Sequence, residues 1–428
     1  MKFSLTKYIV PSVIAMVLIG TYTNIDGFFI GNATGDDGLA AINFAWPIIA
    51  FAMSIGTGIG VGGSVIVNTL RGKNLAEEGE TAKRTSLLFL LFAGLLTTAL
   101  MLALYSPLLK LMGAEGQALI YAENYSLVVS AGALFQVLGA GLVVLLRNEG
   151  KTVLSMLYTF TGLVVHVILD IALVKGYALY GVAASTIASQ AVIAALCLLS
   201  FRIKTKEKFN LAHGAEIVKS SVAPFGLNFV PSAVLLFTNY FAAGVGGAEA
   251  VSAYAVMSYA VYTFDYVYQG ICDGVQPIVS YCHGADDVAQ KNRAVKTAVT
   301  LLVVTSVAFI ALTPALIAVL PGLFNVSEIT AAYIRAGLII YAFSYPFKAA
   351  VKFVCAYNYS VKRNVISNVV TYIDPLLFTP AFLAVLSATC GSNGIWIALP
   401  AAQMATSAVA LVASMTYKRK LWKNCCSN

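Results

Sequence analysis

The chain has 428 residues, of which 59% are hydrophobic and only 11% charged, with a mean hydropathy of +0.83; a soluble domain carries about 25% charged residues. Its 27 Lys and Arg against 19 Asp and Glu leave a formal charge of +8, a balance that in a soluble protein would point to nucleic acid. The apolar excess excludes a soluble enzyme, and the placement of the charges excludes a nucleic acid partner.

In chain order, apolar windows of membrane-spanning length fall at 8–30, 39–70, 86–105, 118–146, 153–174, 178–201, 217–245, 248–281, 294–320, 331–357, 365–386 and 395–417. They predict an all-α polytopic membrane protein of twelve transmembrane helices, because a backbone in lipid must satisfy its own hydrogen bonds and no strand-like alternation suggests a barrel. The first window follows Lys2 and Lys7 but is too long for a signal peptide. It leads into Asn24 and Asp26 rather than a small-residue cleavage site, so it is expected to be retained as the first span. Basic residues crowd alternate connections: Arg71, Lys73, Lys83 and Arg84, then Arg147 and Lys151, the 202–208 stretch, Lys291 to Lys296, Lys362 and Arg363, and the 418–423 tail. The opposite connections hold Asp36, Asp37, Glu115, Glu249 and Glu328. This asymmetry puts both termini on the cytoplasmic side of a plasma membrane. The seven cysteines lie mostly inside apolar segments, without metal-ligand or framework spacing, and read as packing residues.

The chain also repeats itself. At one constant offset, Gly58, Ile59, Gly62, Ile66, Val67, Gly72, Ala82 and Thr85 recur as Gly270, Ile271, Gly274, Ile278, Val279, Gly284, Ala294 and Thr297. The same offset carries Tyr121 onto Tyr333 and Phe135 onto Phe347, and after one inserted residue Gly181 meets Gly394 and Gln190 meets Gln403. Six spans per half make these parallel repeats about a central cleft. The expected organisation is an N-terminal lobe at 1–201, a cytoplasmic linker at 202–215 and a C-terminal lobe at 216–428. A cleft between such halves suits movement of a solute by rocking of one half against the other.

Ionisable side chains at the centre of a membrane helix cost roughly 2.5–3.5 kcal/mol on insertion scales, so each is a functional candidate. Asp26, Asp170, Asp265, Asp273 and Asp374 qualify. His166 and Asp170 are four residues apart, hence on one helix face. A carboxylate so placed is suited to exchanging a proton for a cation; the bland alternative is helix-to-helix hydrogen bonding. Two ligands are too few for a closed metal site, so no metal is expected beyond a coupling sodium ion. In the eighth span Tyr262, Tyr266, Gln269, Asp273 and Gln276, with Asp265 beside them, form a polar stripe that faces either a cleft or a partner helix. Its rings and carboxylates suit lipophilic cations. Lys348 and Lys352 in the tenth span either counter these acids or line the same cavity.

Other features read as structure. Gly58 to Gly63 match a dinucleotide-binding fingerprint by letter but lie in a membrane span with no preceding strand, where Gly56, Gly60 and Gly63 let helices approach closely. Asn32 and Asn325 head glycosylation sequons that matter only in a secretory-pathway host. Pro11, Pro47, Pro224, Pro231, Pro277, Pro346, Pro375 and Pro400 are placed to bend spans.

The segments Ile25-Asp26-Gly27-Phe28-Phe29-Ile30-Gly31, Gly38-Leu39-Ala40-Ala41-Ile42 and Trp46-Pro47-Ile48 resemble the first-to-second span signature of the multidrug and toxic compound extrusion (MATE) transporters. Arg71-Gly72-Lys73-Asn74, the related Gln276-Pro277-Ile278 to Gly284-Ala285, and Gly181-Val182-Ala183-Ala184-Ser185-Thr186 agree with it, and the likeness covers essentially the whole chain. The resemblance implies two six-helix lobes around a cavity, and export of lipophilic, often cationic, organic compounds in exchange for protons or sodium ions. It implies no enzymatic activity, no cofactor, and a monomer that meets small organic substrates and membrane lipid. In the branch it is most similar to, the resemblance places the coupling site at Asp26, His166, Asp170 and Thr186, with His166 standing where many members carry Asn. Another branch uses acids in the seventh and tenth spans, and this chain has no obvious central acid there. The alternative reading is a lipid-linked oligosaccharide flippase of the same wider superfamily, which would favour Arg and Lys in the cavity.

Overall fold

A computed structural model describes residues 4–201, 209–324 and 326–426, with side chains for all of these but 23, 24, 28, 31, 32, 35, 36 and 417–426. Lys2, the 202–208 stretch and Asn325 lie outside the described residues, as do the side chains of Asn24, Phe28, Asn32, Asp36 and the 418–423 tail. Among the described residues every regular element is a helix.

Six helical stretches have the length and hydropathy of single spans: Leu5–Gly27, Asp37–Gly72, Ala76–Leu111, Val288–Leu323, Asn364–Cys390 and Ser392–Thr416. Two more spans are bent pairs, Gly116–Ala131 with Ala133–Asn148 at 59° and Glu328–Ala342 with Tyr345–Ser360 at 51°. The remaining two stretches are each two spans. Thr152–Ser200 reverses at Ala178 (φ 45°, ψ −124°) and Leu211–Gly284 at Gly247 (φ 66°, ψ −158°). The positive φ at Gly247 is where a residue without Cβ is favoured. Among the described residues this makes the twelve membrane-length segments that the hydropathy windows predict.

Side-chain contacts show the reversals directly. Lys151 Nζ donates to the Ser200 carbonyl at 2.7 Å, so the two ends of Thr152–Ser200 lie together. The 68 residues Leu5–Gly72 would extend about 100 Å as one straight helix. Yet Thr152 Oγ1 donates to the Lys7 carbonyl, and Asn68 Nδ2 donates to Asn148 Oδ1 at 3.3 Å. Both ends of this stretch therefore meet the 148–152 turn, and its two spans are antiparallel. At the same end Arg71 Nη2 reaches Glu80 at 2.8 Å and Glu149 at 3.3 Å, while Lys83 Nζ reaches Glu149 at 2.8 Å.

The chain divides into two compact units. The first is Met1–Phe229 with Asp273–Asn292, and the second is Val230–Cys272 with Arg293–Asn428. In the first, Ile48, Ile49, Leu90, Tyr125, Val137, Leu142 and Val182 belong to one buried apolar cluster. Outward residues are apolar too: Phe92 is 66% and Leu95 53% exposed, as a lipid-facing surface requires.

Close backbone approach is also visible in the first unit. A Cβ on Gly72 would strike the Tyr281 carbonyl, and a Cβ on Gly284 would strike the Thr69 carbonyl. These four residues form two pairs related by the internal repeat, Gly72 with Gly284 and Thr69 with Tyr281. The repeated helices thus meet through one self-matching contact, which explains why both copies keep glycine. Gly284→Ala is expected to cost about 1–3 kcal/mol by overpacking. Gly322→Ala, where a Cβ meets nothing within 4 Å, serves as the comparison. A thermal melt in detergent checks this, and equal melting temperatures for the two variants would refute it.

Candidate functional site

Buried positions on the fifth span include Ser155, Thr159, Gly162, His166 and Asp170, while Phe160, Val164, Ile168 and Ile171 are exposed. Steps of three and four put each set on its own side of the helix, so hydrophobic partition alone turns His166 and Asp170 inward. Both are 0% exposed. Asp26 arrives from the first span. His166 Nε2 lies 2.8 Å from Asp26 Oδ1 and 3.2 Å from Asp170 Oδ2, one ring nitrogen shared between two carboxylates. One ligand-capable atom from each of the three side chains lies within 4.8 Å of the others. The spacing of His166 and Asp170 supplied two such groups; the fold adds Asp26 as a third.

Hydrogen bonding leaves this cluster underserved. Both Asp170 oxygens, Asp26 Oδ1 and both His166 nitrogens are buried without an aligned hydrogen bond. Asp26 Oδ2 receives the Tyr125 hydroxyl at 3.5 Å, a long contact. The Tyr22 ring leans on the imidazole with centroids 5.0 Å apart. Thr186 sits beside Tyr125, but its hydroxyl proton is spent on the Val182 carbonyl at 3.0 Å. Ser185 adjoins both Asp170, through its hydroxyl, and His166, through its backbone, and its hydroxyl also lies 2.9 Å from Gly181 O. Two carboxylates carry two negative charges and a protonated imidazole returns one. One further proton or monovalent cation neutralises the group, and buried charge is tolerated only when so balanced.

Tyr22 and Tyr125 escaped the sequence reading. Tyr22 had a signal, four residues before Asp26 on one helix. Tyr125, on the fourth span, had none.

The eighth-span stripe is divided. In the second unit, Lys352 Nζ lies 2.9 Å from Asp265 Oδ2 and donates to Gln269 Oε1 at 3.1 Å, while Lys348 Nζ lies 3.6 Å from Asp265 Oδ1. Tyr262 and Tyr266 adjoin Asp265 there. Of the two readings of the lysines, the observed distances give them Asp265 as counter-ion. Asp273 belongs to the first unit, where Arg147 Nη2 donates to its Oδ2 at 2.9 Å, with side chains only 2% and 1% exposed. Gln276 Nε2 donates to Ser280 Oγ at 3.0 Å. Asp374 opens a π-helical turn, Asp374–Phe378. It accepts from Thr379 Oγ1 at 2.8 Å and Gln403 Nε2 at 2.6 Å.

Comparison with known proteins agrees with this architecture. The sequence profile of the MatE family matches residues 11–172 and 226–386. The chain is 25% identical over 312 residues to the multidrug export protein MepA of Staphylococcus saprophyticus, covering 70% of this chain and 69% of that one. It is 26% identical over 319 residues to MepA of Staphylococcus haemolyticus, with 72% and 68% covered. The fold matches a MOP superfamily transporter from Pyrococcus furiosus with a TM-score of 0.88 at 20% identity, over 96% of this chain and 95% of that one. A Vibrio cholerae MATE transporter matches with a TM-score of 0.88 at 17% identity, over 97% and 96%. With the family profile spanning most of both halves, the chain belongs to the MatE family, the multidrug and toxic compound extrusion transporters.

Proposed function

We propose that this protein is a secondary antiporter of the plasma membrane, with both termini cytoplasmic, that exports lipophilic organic compounds in exchange for protons or sodium ions. Lobes at 1–201 and 216–428 would alternate access to the substrate by rocking. The observation that carries the reading is the buried Asp26, His166 and Asp170 cluster, whose charges balance only when a proton or cation joins them. Membrane-embedded acids in contact with a histidine suit an ion relay rather than structural support. The relatives named as multidrug export proteins support the direction and class of cargo.

In an efflux-deficient bacterial host, expression of the protein should lower ethidium accumulation, and an uncoupler that collapses the ion gradients should restore it. Unchanged accumulation in expressing cells, with the protein present in the membrane fraction, would sink the reading.

His166 is the only member of the cluster whose ordinary titration range lies between pH 5 and 8; Tyr22, Asp26 and Asp170 are the titratable groups in contact with it, and Tyr125 lies behind Asp26. His166→Asn should therefore flatten the pH profile of efflux across that interval. A profile and ion selectivity identical to the wild type would mark His166 as a passive substitute for the family's Asn.

A further inference from the structure

We propose that the bend of the fourth span encloses buried water, held by Ser126, Ser130 and Gln136, and that this water passes protons to and from the Asp26, His166 and Asp170 cluster. The inference rests on the efflux reading and gives its coupling ion a route of its own.

Three observations in the first unit converge on it. The first is a group of buried polar atoms that the protein leaves unpaired. Ser126 is 1% exposed, and Ser130 and Gln136 are 0% exposed. Neither serine hydroxyl, nor the oxygen or nitrogen of the Gln136 amide, has a hydrogen-bond partner among the described residues. A serine inside a helix can spend its proton on the carbonyl four residues back, as Ser64, Ser86 and Ser221 do at 2.7, 2.8 and 2.7 Å. Ser126 and Ser130 do not. Buried polar groups that lack a protein partner are satisfied by ordered water, which makes about three such hydrogen bonds.

The second observation is the bend itself, 59° between Gly116–Ala131 and Ala133–Asn148. A continuous helix would give the Leu134 N–H to the Ser130 carbonyl; here it goes to Thr98 Oγ1 at 3.0 Å. The backbone ladder is therefore open beside the Ser130 hydroxyl. Interrupted backbone at membrane depth is tolerated where protein buries it or water lines it, and the unpaired side chains around this one select water. One turn beyond Gln136, Gly139 makes room for the Gln190 amide of the sixth span, since a Cβ there would strike Gln190 Oε1.

The third is the repeat. The tenth span is bent in the same way, at 51°, yet the positions that the offset relates to Ser126, Ser130 and Gly139 are Leu338, Ala342 and Val351. All three are buried, so a bent span of this kind packs with apolar residues there. Of the four positions, Gln136 alone keeps a polar counterpart, Lys348. The hydroxyls belong to the half that carries the ion cluster, and the same helix reaches it. Tyr125, buried like Ser126 and Ser130, gives its hydroxyl to Asp26 Oδ2 at 3.5 Å. Each water or hydroxyl oxygen accepts one proton and releases another, so charge moves along the row and no member stays changed. The Gln136 amide fixes water by donating to it and accepting from it.

Ser130→Cys nearly keeps the side-chain volume and places a thiol at the bend. Radiolytic hydroxyl-radical labelling oxidises buried side chains beside bound water. This thiol should be modified at least fivefold faster than Cys197, which is 0% exposed within the apolar cluster. Equal rates would show a dry bend and overturn the inference. In liposomes, the double variant Ser130→Ala, Gln136→Met should lose at least tenfold in proton-driven dye export, with dye affinity in detergent within twofold of the wild type and a melting temperature no lower. Gln136→Asn, which keeps the amide, should hold export to within threefold. Wild-type export rates in the double variant, or wild-type export that follows a sodium gradient alone, would overturn the proton route and leave the efflux reading standing. If neither gradient drives export by the wild type, the efflux reading falls as well.

Discussion

Asp170→Asn and Asp26→Asn should each abolish concentrative export while leaving a protein that reaches the membrane and melts near the wild-type temperature. Asparagine keeps the shape of the side chain and removes the charge, so packing around the 0%-exposed Asp170 is preserved. What changes is the electrostatic balance. His166 Nε2 lies 2.8 Å and 3.2 Å from the two carboxylates, and the loss of either leaves no negative charge for a second proton or cation to neutralise. Truncating one partner of a buried charge contact costs about 2–5 kcal/mol of binding free energy, which at 1.4 kcal/mol per decade amounts to a loss of ion affinity of about thirtyfold or more. Uphill dye export should fall by at least that factor. Downhill movement of dye is expected to persist, since the gradient rather than the path is lost. Near-normal uphill rates in both variants would remove the cluster from the coupling role.

The largest effect on stability is expected at Arg147 and Asp273. This pair is held at 2.9 Å with side chains 2% and 1% exposed. Arg147→Met or Asp273→Leu alone removes one side of this buried charge pair, and each should destabilise by about 3–5 kcal/mol. The double variant removes both charges together and should recover most of that loss, because buried ion pairs replaced by apolar residues are often close to neutral. Thermal unfolding of the four proteins in one detergent gives the coupling directly. Additive losses in the double variant would show that the two side chains act independently.

Much of this arrangement was legible in the sequence, for reasons that differ by residue. The spans announce themselves because lipid demands some twenty apolar residues in a row. His166 and Asp170 are found by spacing, because four residues along a helix return to one face. The glycine pair was legible as a repeat, Gly72 with Gly284, though not as a contact. Arg147 was not legible as a buried residue. It lies in a basic connection and so counts as a flanking charge under the positive-inside rule, while its partner is 126 positions away. The eighth-span stripe shows a further limit. Periodicity gives a helix face but not what the face meets, and the chain passes from one compact unit to the other between Cys272 and Asp273. Asp265 and Gln269 therefore join the lysines, while Asp273 joins Arg147. Tyr125 reaches Asp26 across 99 positions, and no local pattern marks it.

The most direct test of ion-coupled export is dye transport in liposomes containing only this protein, with proton and sodium gradients imposed separately across the membrane. At least one of the two gradients should drive dye against its concentration in the wild type, and the same gradient should drive none in Asp26→Asn or Asp170→Asn. Dye that merely equilibrates under both gradients in the wild type, or that is concentrated as well by the two variants, would contradict coupling through this cluster.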